Sequence, residues 1–138
     1  MTHRPSTLPL DFELAASVES LAEARRRLGA WLLDQGIDGE TNSDLVSVAT
    51  EFFLHVVVKA GGVGHARVVA ERATGGVRMS VTAATSADRA VPRIDLPSDP
   101  LERGSIGRRL VDGCCDELEI SEADGSIGVR CWRAVQSA

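Results

Sequence analysis

Apolar positions recur at helical spacing in two long stretches of the chain. Val18, Leu21, Leu28, Trp31 and Leu32 trace one face of a first helix over Val18–Gln35, with Glu23, Arg25, Arg26 and Arg27 largely elsewhere on the wheel. Gly36 supplies its C-cap. Leu45, Val48, Ala49, Phe52 and Val56 form the stripe of a second helix. It starts near Thr41–Ser43, where Thr41 and Asp44 have capping-box spacing, and ends at Gly61-Gly62. Glu51, His55 and Lys59 repeat every four residues, so they form a second, polar row along that helix. Two-residue alternation then predicts strands over His65–Glu71 and Val77–Thr82, turning through Ala73–Gly76, with Val77, Met79 and Val81 inward. A last hairpin, Leu118–Ala123 and Ile127–Val135, turns at Asp124-Gly125. A short strand over Asp11–Ala16 precedes the helices, and a Gly-led third helix is expected over Arg108–Asp116. Ala83–Arg103 has no clear period and holds Pro92, Pro97 and Pro100, as expected of a lid, a binding loop or disorder. Helices beside an antiparallel-rich sheet make an α+β two-layer sandwich.

Composition narrows this picture. The 138 residues suit one domain, here 11–138 after a flexible N-terminus of residues 1–10. No apolar run approaches the ~18 residues that a membrane span needs, and Met1 to Leu10 lacks the pattern of a secretory signal. Fifteen basic against twenty acidic residues give a net charge of −5, a poor footprint for duplex nucleic acid or an anionic membrane. Cys114, Cys115 and Cys131 cannot all pair and match no standard zinc spacing with His3, His55 or His65, which suits reduced, buried thiols in a cytoplasmic protein.

Three segments carry a family resemblance: "ARRRLGAWLLDQGID" (Ala24–Asp38), "LVSVATEFFLHVVVKAG" (Leu45–Gly61) and "GRRLVDGCCDELEI" (Gly107–Ile120). With the hairpin and the long loop between them, the chain resembles the GHKL ATPase superfamily of gyrase, MutL and histidine-kinase ATP domains. Within it the chain is most similar in style to the small anti-sigma-factor serine kinases of Gram-positive bacteria. The resemblance implies helices on one face of a mixed, mostly antiparallel sheet, the Bergerat-type ATPase fold.

It also implies an ATP pocket built from three boxes, and each departs from the family pattern. In the first box a Glu polarises the attacking group and an Asn four residues on holds Mg²⁺ through oxygen. Glu51 matches as a vestigial base, but His55 replaces the Asn and offers nitrogen, which suits zinc or copper better than magnesium. Glu51 and His55 alone would give a metal two ligands, and Lys59 continues the row as a phosphate or carboxylate contact. In the second box Ala83 stands where a carboxylate accepts the adenine amino proton, and Thr85 stands for a glycine. Asp88 lies too far along to replace the carboxylate without a register slip. In the third, Gly107 keeps one glycine of a phosphate-cradling turn, Ser105 replaces the other, and Arg108 adds positive charge. A plain Gly-led helix with a Ser105 N-cap explains the same residues.

Loss of the metal ligand and the adenine carboxylate together implies a pseudokinase: an anti-sigma-like regulator of transcription acting by protein–protein binding. No cofactor is expected, or ATP with Mg²⁺ if the pocket still functions. The implied partner is a sigma factor or an anti-sigma antagonist, with a homodimer possible. The loop over 84–103, the start of the third helix and the Arg25–Arg27 edge are the candidate contacts. The alternatives are an active ATP-dependent serine kinase that phosphorylates an antagonist, and a metal or small-molecule sensor.

Overall fold

A computed structural model of the chain describes residues 8–61, 63–84, 114–123 and 125–135. Five strands form one sheet: β1 (Leu10–Ala15), β2 (His65–Ala73), β3 (Gly76–Ala84), β4 (Glu117–Ala123) and β5 (Ser126–Ala134). Their order across the sheet is β1-β2-β3-β5-β4, and every described pairing is antiparallel. The mixed, mostly antiparallel sheet that was expected is thus antiparallel throughout among the described residues. β5 lies between β3 and β4, so the chain leaves the centre after Ala84, reaches the edge as β4, and folds back inward.

The helices α1 (Leu21–Asp34) and α2 (Gly39–Ala60) cover one face of this sheet. Two-residue alternation sends Val77, Met79, Val81 and Ala83 of β3, and Ile127, Val129 and Cys131 of β5, toward the helices, and all are buried. Across them α2 lays Leu45, Val48, Phe52, Phe53, Val56 and Val57, each at most 1% exposed. From α1 come Ala24, Leu28 and Leu32, one face at four-residue spacing. Val18, expected on that face, is 42% exposed: the first turn tightens into a 3₁₀ turn at Val18–Ser20, which rotates it away from the α-helical register.

The link between the helices shows why they pack as an antiparallel pair. Gly36 takes φ 79°, its N–H donates to the Leu33 carbonyl at 2.9 Å, and Ile37 N–H donates to the Leu32 carbonyl at 2.9 Å. This is a Schellman stop, with Ile37 tucked into the core. The second helix begins at Gly39, earlier than the Thr41–Ser43 start, and Asp38 is its N-cap. Thr41 and Asp44 therefore lie inside the helix, and no side-chain capping bond forms. Asn42 holds the corner instead, donating through Nδ2 to the carbonyls of Ile37 (2.9 Å) and Gly29 (3.2 Å). At the first hairpin Ala73 pairs with Gly76, so the turn is the two residues Thr74-Gly75 rather than four. Asp116, placed in the third helix by the sequence, lies beyond it and donates its N–H to the Trp132 carbonyl at 2.8 Å.

The opposite face of the sheet is polar. Arg67 meets Asp11 through two hydrogen bonds (2.9 and 2.6 Å), Arg78 meets Glu71 (3.0 Å), and Arg130 meets Glu119 (2.9 Å). The Arg78 guanidinium also lies over the Trp132 ring, 5.8 Å from its centroid.

Candidate functional site

The polar row runs along α2 as the sequence implied, each member about 6 Å further along the axis. It does not lie on the surface. His55 is 2% exposed, in the core beside Phe52 and Val56, and its Nε2 is fully enclosed. Glu51 and Lys59 are half-buried. Burial pushes the Glu51 carboxyl above its ordinary value. The row is thus a partly desolvated seam at the edge of the core, where a polar group costs free energy unless it is matched.

Ala83 is buried near the end of β3, paired with Ala66 on one side and Ile127 on the other. The helix α2 runs directly into β2, whose first residues face the last residues of β3. Lys59, in the last turn of α2, and Ala83 therefore share one end of the molecule. A methyl at position 83 neither accepts nor donates a hydrogen bond. Glu51, His55, Lys59 and Ala83 are the sequence-predicted residues that the structure describes. Thr85, Ser105, Gly107 and Arg108 lie outside the described residues, as do Asp88, the rest of the stretch to Arg103, and residues 108–113 of the expected third helix.

The chemistry of this seam is limited. Glu51 and His55 supply one carboxylate and one imidazole, and among the described residues no group of three or more His, Cys, Asp or Glu could hold a metal ion. A hard cation such as Mg²⁺ prefers oxygen donors, and a buried imidazole offers nitrogen. The described residues therefore do not fit a magnesium–adenine nucleotide at the two positions that the resemblance assigns to metal and base.

A separate groove of about 660 Å³ opens on the outer side of the helices, lined by Arg25, Arg26, Gly29 and Leu33 of α1 and by Asn42 and Val46 of α2. Leu33 is 60% exposed there. Of the three arginines, only Arg25 and Arg26 line this groove. Arg27 turns back over the Phe12 ring, 5.1 Å from its centroid. Glu23 binds both Arg26 and Arg27, and these bonds hold its carboxyl down at about 2. The sequence reading missed Asn42, whose one signal was an amide in the short link between two helices.

No protein-family model matches the chain, and no curated protein matches it. Solved structures do. One is described as the crystal structure of the RsbU and RsbW domains of Rv1364c from Mycobacterium tuberculosis. It is 25% identical with a TM-score of 0.68 over 93% of this chain. The chain spans about a third, 32%, of that neighbour's length. Two helices on a five-stranded antiparallel sheet are consistent with the GHKL-like fold that the sequence implied. Among the described residues, no helix is long and apolar enough to cross a membrane.

Proposed function

We propose that the chain is an anti-sigma-type regulator that works by protein–protein binding, with ATP binding and kinase activity weak or lost. Likeness to a structure that contains an RsbW domain supports the regulatory role in general, since RsbW is an anti-sigma kinase of the GHKL type. One observation carries the loss of chemistry: a core-buried imidazole at position 55 and a buried methyl at position 83 stand where the family has a magnesium ligand and an adenine acceptor. An adenine pocket without its carboxylate leaves the exocyclic amine unmatched, which weakens selectivity by roughly 1–3 kcal/mol. The partner in this reading is a sigma factor or an anti-sigma antagonist. The groove beside Arg25 and Arg26 offers it a basic rim around an exposed leucine.

Titration with a fluorescent ATP analogue in the presence of Mg²⁺ tests the loss of chemistry. Weak, unsaturated binding is expected, and saturation at micromolar concentration overturns it. His55→Asn combined with Ala83→Asp should raise nucleotide affinity if the remaining pocket is intact. Capture of partners from a lysate, identified by mass spectrometry, tests the regulatory role separately.

A second reading, an active serine kinase, has one observation in its favour. Glu51 is half-buried with its carboxyl pushed up by burial, which suits a general base. Transfer of labelled phosphate to a co-purified partner, abolished by Glu51→Gln, would establish that reading in place of the first.

A further inference from the structure

Two matching stripes line the groove on the outer side of the helices. Arg25, Arg26, Gly29 and Leu33 recur at helical spacing along α1, and Asn42 and Val46 do so along α2. The middle is low because Gly29 has no side chain. A Cβ added there would touch only Val46 Cγ2 at 3.8 Å and Asn42 Oδ1 at 3.9 Å, so the backbone of α1 forms part of the floor. The Asn42 amide nitrogen is committed to the carbonyls of Gly29 and Ile37, which leaves its oxygen as an acceptor on that floor. One end of the groove is cationic. Arg25 and Arg26 are exposed there, and Glu23, the acid beside them, is shared between Arg26 and Arg27. The other end is apolar, with Leu33 60% exposed about 10 Å further along the α1 axis than Arg26. Among the described residues no carboxylate lines the groove, although the chain as a whole carries a net charge of −5.

We infer that this groove docks an acidic amphipathic helix of a protein partner. The inference rests on the proposed protein-binding role and adds the chemistry of what is bound. A volume of about 660 Å³ takes the side chains of one helix face, and a helix laid between α1 and α2 packs on both, as the third member of a bundle does. Its apolar stripe meets Leu33 and Val46 over the low floor at Gly29. Its carboxylates, about two turns away, meet the guanidinium forks of Arg25 and Arg26, each able to bind a carboxylate through two parallel hydrogen bonds. The reversal of sign against an acidic protein selects such a partner by charge. A second copy of the chain cannot supply the helix from α1 or α2, because both bury their apolar faces against the sheet.

Fluorescence anisotropy of the full chain with a labelled, stapled helix tests this. The probe carries a stripe of leucines with glutamates two turns away, and its counterpart has lysines for the glutamates. Saturable binding of the acidic helix is expected, weaker at high salt, with no binding of the basic one. Arg25→Glu and Leu33→Ser change exposed positions and Gly29→Leu fills the floor, and each should weaken binding about tenfold or more. Circular dichroism checks that each variant is folded, and Arg130→Glu on the polar face of the sheet should leave binding unchanged. Equal binding of the two helices, binding that survives all three groove variants, or no binding of either overturns the inference. So does dimerisation of the chain alone that Leu33→Ser abolishes, which would give the groove to a second copy. Capture of a sigma factor or antagonist by the wild type and Gly29→Leu alike would overturn the docking site and leave the regulatory role standing. Binding of the acidic helix at the groove without any such capture would do the reverse.

Discussion

The two faces of the sheet are built from the same five strands and hold the fold by different means. The helix-facing side is a continuous apolar layer in which Val77, Val81, Ile127 and Val129 are each at most 1% exposed. The other side is a lattice of exposed ion pairs around Arg67, Arg78 and Arg130. Apolar burial contributes in proportion to the area removed from water, whereas an exposed ion pair contributes little after screening and side-chain ordering. Stability should therefore be lopsided, with the ladder of charges serving register and solubility more than cohesion.

The largest test of this asymmetry is Phe52→Ala. Phe52 is wholly buried, and its loss should cost about 3–5 kcal/mol in urea denaturation. A cost near that of a surface change would break the comparison. Gly76→Ala comes next and sharpens it, because it probes a tightly packed spot on the polar face. An added Cβ there would run into the Arg133 carbonyl oxygen and lie 2.7 Å from the Trp132 ring, so about 1–3 kcal/mol should be lost. At Gly128 the nearest contact is the Thr82 methyl at 3.2 Å, and Gly128→Ala should be milder. Arg67→Ala removes the two bonds to Asp11 but should shift the urea midpoint least of the four, and less still at high salt.

The smallest effects are dependences on pH, with opposite signs on two carboxyls. The Glu51 carboxyl is raised in the fold by burial. Its cost is absent below the ordinary value of 4.5 and complete above the raised one. Glu51→Gln should therefore stabilise the protein increasingly as pH rises through that window, read as melting temperature against pH. Glu23 is lowered to about 2 by Arg26 and Arg27, so its contribution is present above 4.5 and fades as pH falls toward 2. Glu23→Gln should therefore lower the melting temperature fully above pH 4.5 and progressively less as pH falls toward 2.

Local signals were the legible part of the sequence. The apolar stripe of α2, the alternation of β3 and the turn glycines each depend on neighbours within a few positions, so their spacing alone indicated them. Element starts were less legible. The helix α2 begins at Asp38-Gly39 because a left-handed glycine (φ 60°) and the Asn42 side chain turn the corner, and the apparent capping box at Thr41 and Asp44 has no part in it. The polar row shows the same limit at the candidate site. Spacing put Glu51, His55 and Lys59 in line, but the burial of His55 depends on how deeply α2 settles on β3 and β5, a tertiary fact absent from any window of sequence.

The placement of β5 between β3 and β4 has one more consequence. Nine residue pairs, from Gly76↔Ala134 to Ala84↔Ser126, fix where the returning hairpin must sit. The alignment is thus written in the two strands themselves, whatever the number of residues that separates them in the chain. Doubling the length of such a connection raises its closure entropy by only about 0.6 kcal/mol. The alignment of two strands is thus set by the ladder they join, and far less by the length of chain that connects them.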